Sequence, residues 1–446
     1  MLPDSLLSKF AIMGTKVLKI YSPVIYPRLA YVTDIIFNTV LGLDFELTND
    51  RRKIGGNPAI LYTDEKVKGQ FVIKPAGLLS SQGIESSVPE VHRIGDMPVL
   101  FYSGEESFPF DMFSAAFFML SRYEEYQPFV PDSQGRFPGK ASLAYREGFL
   151  RLPVVEIWAR YLATALIRHF PVLTIRHNEY RALLTVDIDQ AFAYRSRGFL
   201  RTVGGFVKGF SGRSATPSER FHTLIGEEQD PYDNFKYIEE TVARHRSELL
   251  FFFPTGDRGE NDHNPSHTDR DYKDIIRKYD SSYGSGLHPS YRSAGKLKVL
   301  NTEAERYKGI TGHSPDRVRQ HWLLLRMPET YRLYEAAGFK TDYSMGFSDE
   351  PGFRAGIARP FRFYDLERDS VSGITVVPFQ VMDGTLKKNL SLSVDAAIET
   401  VAGLISVTRK AGGLFVSVWH NTSLTERDGW EGWRAVFEAM LTEQRK

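Results

Sequence analysis

Ala182-Leu183-Leu184-Thr185-Val186-Asp187-Ile188-Asp189-Gln190 is the stretch on which the fold turns. Ala182–Val186 is apolar and partly β-branched, which predicts a strand, and two carboxylates follow it with one residue between them. If the extended backbone continues, alternation puts Asp187 and Asp189 on the same side. Two crowded carboxylates repel, so one keeps a proton unless a cation binds between them. Such a pair can hold a metal through one Asp while the other acts as a base. A pair that caps the following helix is the competing structural reading.

Outward from this strand the chain alternates strand and helix. Further strands are predicted at Leu249–Phe253, Gly286–Leu287, Val318–Trp322, Ile374–Pro378 and Leu414–Trp419. Asp230-Pro231 opens a helix with Phe235, Ile238 and Val242 on one face. Ser393 caps another, with Ala397, Ile398, Val401, Leu404 and Ile405 inward, Arg409-Lys410 in its last turn and Gly412-Gly413 after it. A last helix carries Trp433, Phe437, Met440 and Leu441. The expectation for residues 178–446 is an α/β domain, an irregular (β/α) barrel with its chemistry at the C-terminal ends of the strands.

Residues 1–177 have a different rhythm and predict an α+β domain. Val24–Leu41 is apolar at helical spacing and stops at Gly42; strands are expected at Leu43–Leu47, Ala59–Tyr62, Phe71–Ile73 and Val99–Tyr102; helices follow at Asp111–Tyr126 and Val154–His169. Between Ala191 and Asp230 lies a basic, Gly-rich insertion with Arg195, Arg197, Arg201, Lys208, Arg213 and Arg220. It carries Phe199, Val203, Phe206, Val207 and Phe210 at helical spacing and reads as a lid over the barrel mouth, with a membrane or anion surface as the alternative.

Across 446 residues Lys plus Arg (56) nearly cancels Asp plus Glu (55), so no global field favours nucleic acid. With no cysteine the chain has neither disulfides nor thiolate metal sites. The N-terminal apolar run is broken by Lys9, Lys16 and Lys19, and no stretch reaches the ~20 apolar residues of a membrane span. The expectation is a cytoplasmic protein.

Four more polar clusters fall at later strand ends. His288 follows Gly286–Leu287; Arg319 and His321 share a side of the next strand; Asp342 precedes the Gly352–Gly356 stretch that holds Arg354; His420 follows Trp419. A single histidine reads best as structural, but three at strand ends beside two aspartates suit zinc, iron, cobalt or nickel.

These residues resemble the motifs of the polysaccharide deacetylases, whose first motif is a strand-end Thr-Phe-Asp-Asp. Thr185-Val186-Asp187 is similar to its start, with Asp187 at the place of the general base, and Asp189 resembles the metal-binding Asp one residue late. His288 matches the first His of the second motif, while Arg292 stands where its second His belongs; Arg319 resembles the Arg of the third motif, and His420 the late His that acts as general acid. The whole chain also resembles bacterial deacetylase-like proteins with an N-terminal domain of unknown function and text close to Ser121-Arg122-Tyr123-Glu124-Glu125-Tyr126.

The resemblance implies a metal-dependent hydrolase that removes acetyl groups from a polysaccharide or other glycan. A divalent metal, zinc first and otherwise cobalt, nickel or iron, is expected on Asp189, His288 and His321, the last replacing the missing ligand because a guanidinium cannot bind a cation. Asp187, His420 and Arg319 are the expected catalytic residues, and Asp342, Arg354, Trp419 and Arg292 the expected substrate contacts. Two rivals remain: a two-carboxylate glycosidase using Asp187 and Asp342, and a non-catalytic glycan-binding or assembly protein. In the latter Arg292 fills the metal position and pairs with Asp189.

Overall fold

The computed structural model describes residues 17–86, 88–104, 107–176, 178–195 and 217–446. The chain divides into two compact units, Met1–Met119 with Val154–Asn178, and Leu120–Pro153 with Glu179–Lys446. One change of unit falls between Asn178 and Glu179, and Leu120–Pro153 groups with the second unit.

The first unit holds strands β1 (Leu18–Tyr21), β2 (Phe45–Thr48), β3 (Ala59–Tyr62) and β4 (Phe71–Ile73), ordered β2-β1-β3-β4, and a hairpin of β5 (Val91–Ile94) and β6 (Met97–Leu100). All three ladders of the larger sheet are parallel. The sequence reading expected α+β here, and the reason it missed the parallel sheet is physical. Parallel neighbours normally need a long helical crossover, as between β1 and β2, whereas the neighbours β3 and β4 are joined by a short loop. The helix before β2 begins at Pro27 and passes into a π-helical turn over Asp34–Leu41; it ends as predicted at Gly42, in left-handed conformation (φ 56°). Val154–His169 is helical as expected.

The second unit is built on nine strands: β7 (Arg181–Asp187), β8 (Glu248–Phe253), β9 (Ser285–Leu287), β10 (Arg317–Val318), β11 (Thr341–Asp342), β12 (Phe361–Asp365), β13 (Ser370–Val376), β14 (Val381–Met382) and β15 (Leu414–His420). Their order is β12-β13-β11-β10-β9-β8-β7-β15-β14. Every ladder is parallel except β12 against β13. An irregular (β/α) barrel was expected; the strands form a mostly parallel sheet, and among the described residues no ladder joins β13 to β14. Between them lies Pro378, which has no N–H to give. Gln380 then stands in for a strand: its backbone N–H donates to Val416 O and its side-chain Oε1 accepts from Val416 N (3.0 and 2.7 Å).

Side chains alternate cleanly between the two faces. Leu184, Val186, Leu249, Phe251, Phe253, Phe415 and Trp419 join the layer packed by helices 235–245, 270–283, 394–411 and 433–445. Leu250, Phe252, Val416, Val418, Val377 and Phe379 form the core on the opposite face. By the same parity Thr185, Asp187 and His420 belong to that opposite face, and β7–β15 pairing sets His420 beside Asp187.

The predicted strand Val318–Trp322 stops at Val318, and His321–Leu323 is a 3-10 turn in which Trp322 and Leu323 have φ of 62° and 52°. The predicted helix Asp111–Tyr126 breaks at Arg122 (φ 53°) after Met112–Leu120. Of the expected lid, residues 196–216 lie outside the described residues, which takes in Arg197, Phe199, Arg201, Val203, Phe206, Val207, Lys208, Phe210 and Arg213. Its flanks are anchored, with Arg195 paired to Asp233 and stacked over Phe192, and Arg220 over Tyr194. Among the described residues no helix is long and apolar enough to cross a membrane.

Candidate metal and catalytic site

Strand ends β7, β9, β10 and β15 bring Asp187, Asp189, His288, His321 and His420 together. Asp189 is the hub. His288 Nε2 lies 3.1 Å from its Oδ1, and His321 Nε2 and His420 Nε2 lie 3.4 and 3.7 Å from its Oδ2. Asp187 and His288 are buried, whereas Asp189 and His420 keep 25% and 20% of their side-chain surface, so the cluster opens to solvent on their side.

Each histidine is oriented from behind by a group that can only accept a hydrogen bond. Arg319 O takes His288 Nδ1–H at 2.6 Å, Asp262 Oδ1 takes His321 Nδ1–H at 2.8 Å, and Asp383 Oδ1 takes His420 Nδ1–H at 2.8 Å. A carbonyl or carboxylate there commits the ring proton to Nδ1 and leaves Nε2 to face Asp189, the arrangement that supports metal-ligating imidazoles.

Asp187 sits at the end of β7, where Arg319 Nη1 donates to its Oδ1 at 2.9 Å. Arg319 is wholly buried; it also donates to Thr185 Oγ1 (2.7 Å) and Tyr343 O (3.0 Å), and its guanidinium lies 4.5 Å from the centre of the Phe252 ring. Three acceptors in different directions fix the base strand and the arginine to each other.

The electrostatics follow from this crowding. Burial works to raise the Asp189 carboxyl, but His321 and His420 hold it well below the ordinary carboxylate range. Burial lowers His321 and His420, yet carboxylates win in both: Asp189 and Asp262 push His321 up to about 10, and Asp383 and Asp189 push His420 up to about 9.

The residues present fit a divalent cation. One carboxylate oxygen and two imidazole nitrogens, from Asp189, His288 and His321, lie within 4.8 Å of one another. Asp189 Oδ1 and His288 Nε2 are buried, and neither makes a hydrogen bond although they face each other. An uncompensated buried pair of this kind is costly, and a cation between them removes the cost.

Arg292 does not plug the site. It is exposed, and among the described residues it has no carboxylate partner, neither Asp189 nor the alternatives Asp187 and Asp262. Three other expected substrate contacts are corrected. Asp342 is fully buried, accepting from Tyr331 OH and Ser344 N (both 3.0 Å), which also removes the second carboxylate of the glycosidase reading. Arg354 is buried against Glu125 and Gly346 O, where it is a structural cation. Trp419 has the outward parity of its strand and packs on Phe437 at 5.0 Å, with its indole N–H toward Met440 Sδ.

Asp262 and Asp383, which orient two of the three histidines, were not assigned these roles from sequence. Asp383 carried a readable signal, a carboxylate between Val381-Met382 and Gly384, but its strand is two residues long and hides behind Pro378. Asp262 lies in a loop without periodicity.

Residues 18–171 match the model of a family of unknown function, DUF7033. No curated protein matches the chain significantly. Among solved structures the chain is similar to one described as a polysaccharide deacetylase from Mycobacterium smegmatis (16% identity, TM-score 0.38, covering 60% of this chain and 84% of that one). It is also similar to a polysaccharide deacetylase from Bacillus cereus (12%, 0.30, 59% and 86%). A third is a GH57 branching enzyme from Thermococcus kodakaraensis (10%, 0.32, 60% and 69%). At such TM-scores the functional reading rests on the side chains.

Proposed function

We propose that the chain is a metal-dependent hydrolase that removes an acetyl group from a glycan, with Asp189, His288 and His321 holding the cation. The observation that carries this reading is the convergence of three Nε2 atoms on one carboxylate, each imidazole oriented from behind by its own acceptor. When bound, a divalent ion supplies polarisation of the acetyl carbonyl and a more acidic water. Asp187, with Oδ1 tied to Arg319, takes the water's proton on its other oxygen. His420 carries its mobile proton on Nε2 and delivers it to the leaving nitrogen or oxygen, while Asp383 stabilises the charged ring. Buried Arg319 holds Asp187 aimed through its bond to Oδ1.

The test uses the full chain, stripped with a chelator and reloaded with zinc, cobalt, nickel or iron(II), with acetate release measured on N- and O-acetylated oligosaccharides. Asp189→Asn is expected to lose both metal and turnover. Asp187→Asn is expected to keep the metal and lose turnover by about 100-fold or more. Failure of the stripped protein to take up metal, or an Asp187→Asn variant as active as the parent, rejects the proposal.

A further inference from the structure

Arg292 faces a cavity of about 290 Å³ that it lines together with Lys296, Arg326, Tyr291, Gln134 and Glu329. Three of these side chains are cationic and one is anionic. Among the described residues none of the four charged groups has an ion-pair partner within 4.0 Å, although 56 cations and 55 anions give the chain ample opportunity. Three unneutralised cations around one concavity attract a negative group.

The cavity adjoins the candidate metal site through a single carboxylate. Asp262 Oδ1 accepts from His321 Nδ1 and also from the backbone N–H of Tyr291, both at 2.8 Å. The wall that carries Tyr291 and Arg292 therefore hangs from the group that aims a metal-site histidine. Arg326, which also lines the cavity, comes three residues after the turn His321–Leu323.

That turn presents Trp322. The residue is 39% exposed, although it sits in left-handed backbone (φ 62°) and is followed by Leu323 in the same region (φ 52°). Bulky residues at positive φ are disfavoured, and two in succession persist only where the surroundings hold them. Here the indole N–H donates to Asn261 O (3.1 Å), Arg136 donates to Trp322 O (2.7 Å), and the Tyr291 ring stands edge-on at 6.3 Å. A strained, anchored and still exposed indole beside His321 (ring centres 6.0 Å apart) is a flat apolar platform of the kind that packs on a sugar ring.

We propose that the glycan bound here is anionic. One sugar packs on Trp322 next to the acetylated residue, and its carboxylate or phosphoryl group is received by Arg292, Lys296 and Arg326. This deepens the deacetylase reading, on which the position of the acetyl group rests; the charged cavity and the platform do not depend on it.

The experiment measures binding of three probes to the full chain at low and high salt: a hyaluronan tetrasaccharide bearing uronate, N-acetylglucosamine 1-phosphate, and neutral tetra-N-acetylchitotetraose. A charged probe is expected to bind about tenfold more tightly than the neutral one at low salt. The advantage should vanish in Arg292→Gln/Arg326→Gln at an unchanged thermal midpoint, and Trp322→Ala should weaken all sugar binding. Preference for hyaluronan identifies a uronate, and preference for the sugar phosphate a phosphoryl group. Equal affinity for all three probes, or a preference untouched by the double variant, overturns the proposal. Acetate release is scored separately. Charge-dependent binding without release removes the hydrolase reading and keeps the subsite, and release from chitotetraose with no charge preference does the reverse.

Discussion

Arg319 shows how much one buried side chain can be asked to do. Its guanidinium reaches Thr185, Asp187 and Tyr343 at once, and no solvent is available to replace any of the three bonds. A lysine has a single ammonium on a flexible stem and cannot span these acceptors. Arg319→Lys is expected to lower unfolding free energy by about 3 kcal/mol, seen as an earlier urea midpoint with an unchanged slope. A midpoint within error of the parent contradicts this account of the bond network.

Asp342, beneath the same arginine, titrates abnormally. Burial pushes its carboxyl up to about 6, while Ser344, Tyr331 and Arg319 pull it back. The folded state therefore binds this proton more tightly than the unfolded chain does. The associated stability is full below the unfolded value of about 4 and is lost as pH rises through about 6. Asparagine removes the charge at every pH. The parent is thus expected to lose up to about 3 kcal/mol relative to Asp342→Asn between about pH 4 and pH 8. Denaturation curves of the two proteins that run parallel in pH rule this out.

At the scale of elements, the ends of the strands decide the site, and their packing leaves little slack. A Cβ built on Gly346 would lie 2.3 Å from the Phe379 ring, which itself lies 5.8 Å from the Arg319 guanidinium. Gly346 O also accepts from Arg354. Gly346→Ala is therefore expected to displace Phe379 and cost about 1–3 kcal/mol, with a loss of acetate release larger than the loss of metal. Gly309, at an exposed position of the helix Leu297–Thr311 with nothing within 4 Å of its would-be Cβ, is the control position. There alanine should be neutral or stabilising. Equal effects at the two sites would mean that the close approach at Gly346 is unimportant.

At the scale of the molecule, the segment Leu120–Pro153 is the part whose allegiance matters most. Arg122 is paired with Glu124 and Glu125 (2.8 and 2.7 Å) and donates to Arg354 O, and Glu125 is paired in turn with Arg354 at 2.6 Å. All four side chains are buried. Removing one partner of such a network strands buried charge at a cost of roughly 3–5 kcal/mol, unlike an exposed pair such as Lys278–Glu239. A chain cut to residues 179–446 would leave Arg354 in that position and is expected to lack a cooperative unfolding transition that the full chain shows. A truncated chain that unfolds as one sharp step at the parent's temperature refutes this.

The sequence by itself determined what is local and periodic: the apolar runs of β7, β8 and β15, the Ser393 cap and Gly412 stop of the helix between them, and aspartates and histidines at strand ends. Alternation along a strand was enough to put Asp187 and Asp189 on one side of a strand end, whereas the β7–β15 pairing set His420 beside Asp187. Tertiary structure decided everything that depends on contacts distant in the chain. Asp342, Arg354 and Trp419 are polar or aromatic residues near strand ends, as a substrate contact would be, and only packing shows that each is sealed inside. Asp262 and Asp383 find their histidines across 59 and 37 residues of chain, and Glu125 finds Arg354 across 229. Local sequence sets backbone preference and the face of each side chain. Which buried charge meets which partner depends on how the strands and loops come together, because the cost of an unpaired buried charge is paid only in the folded state.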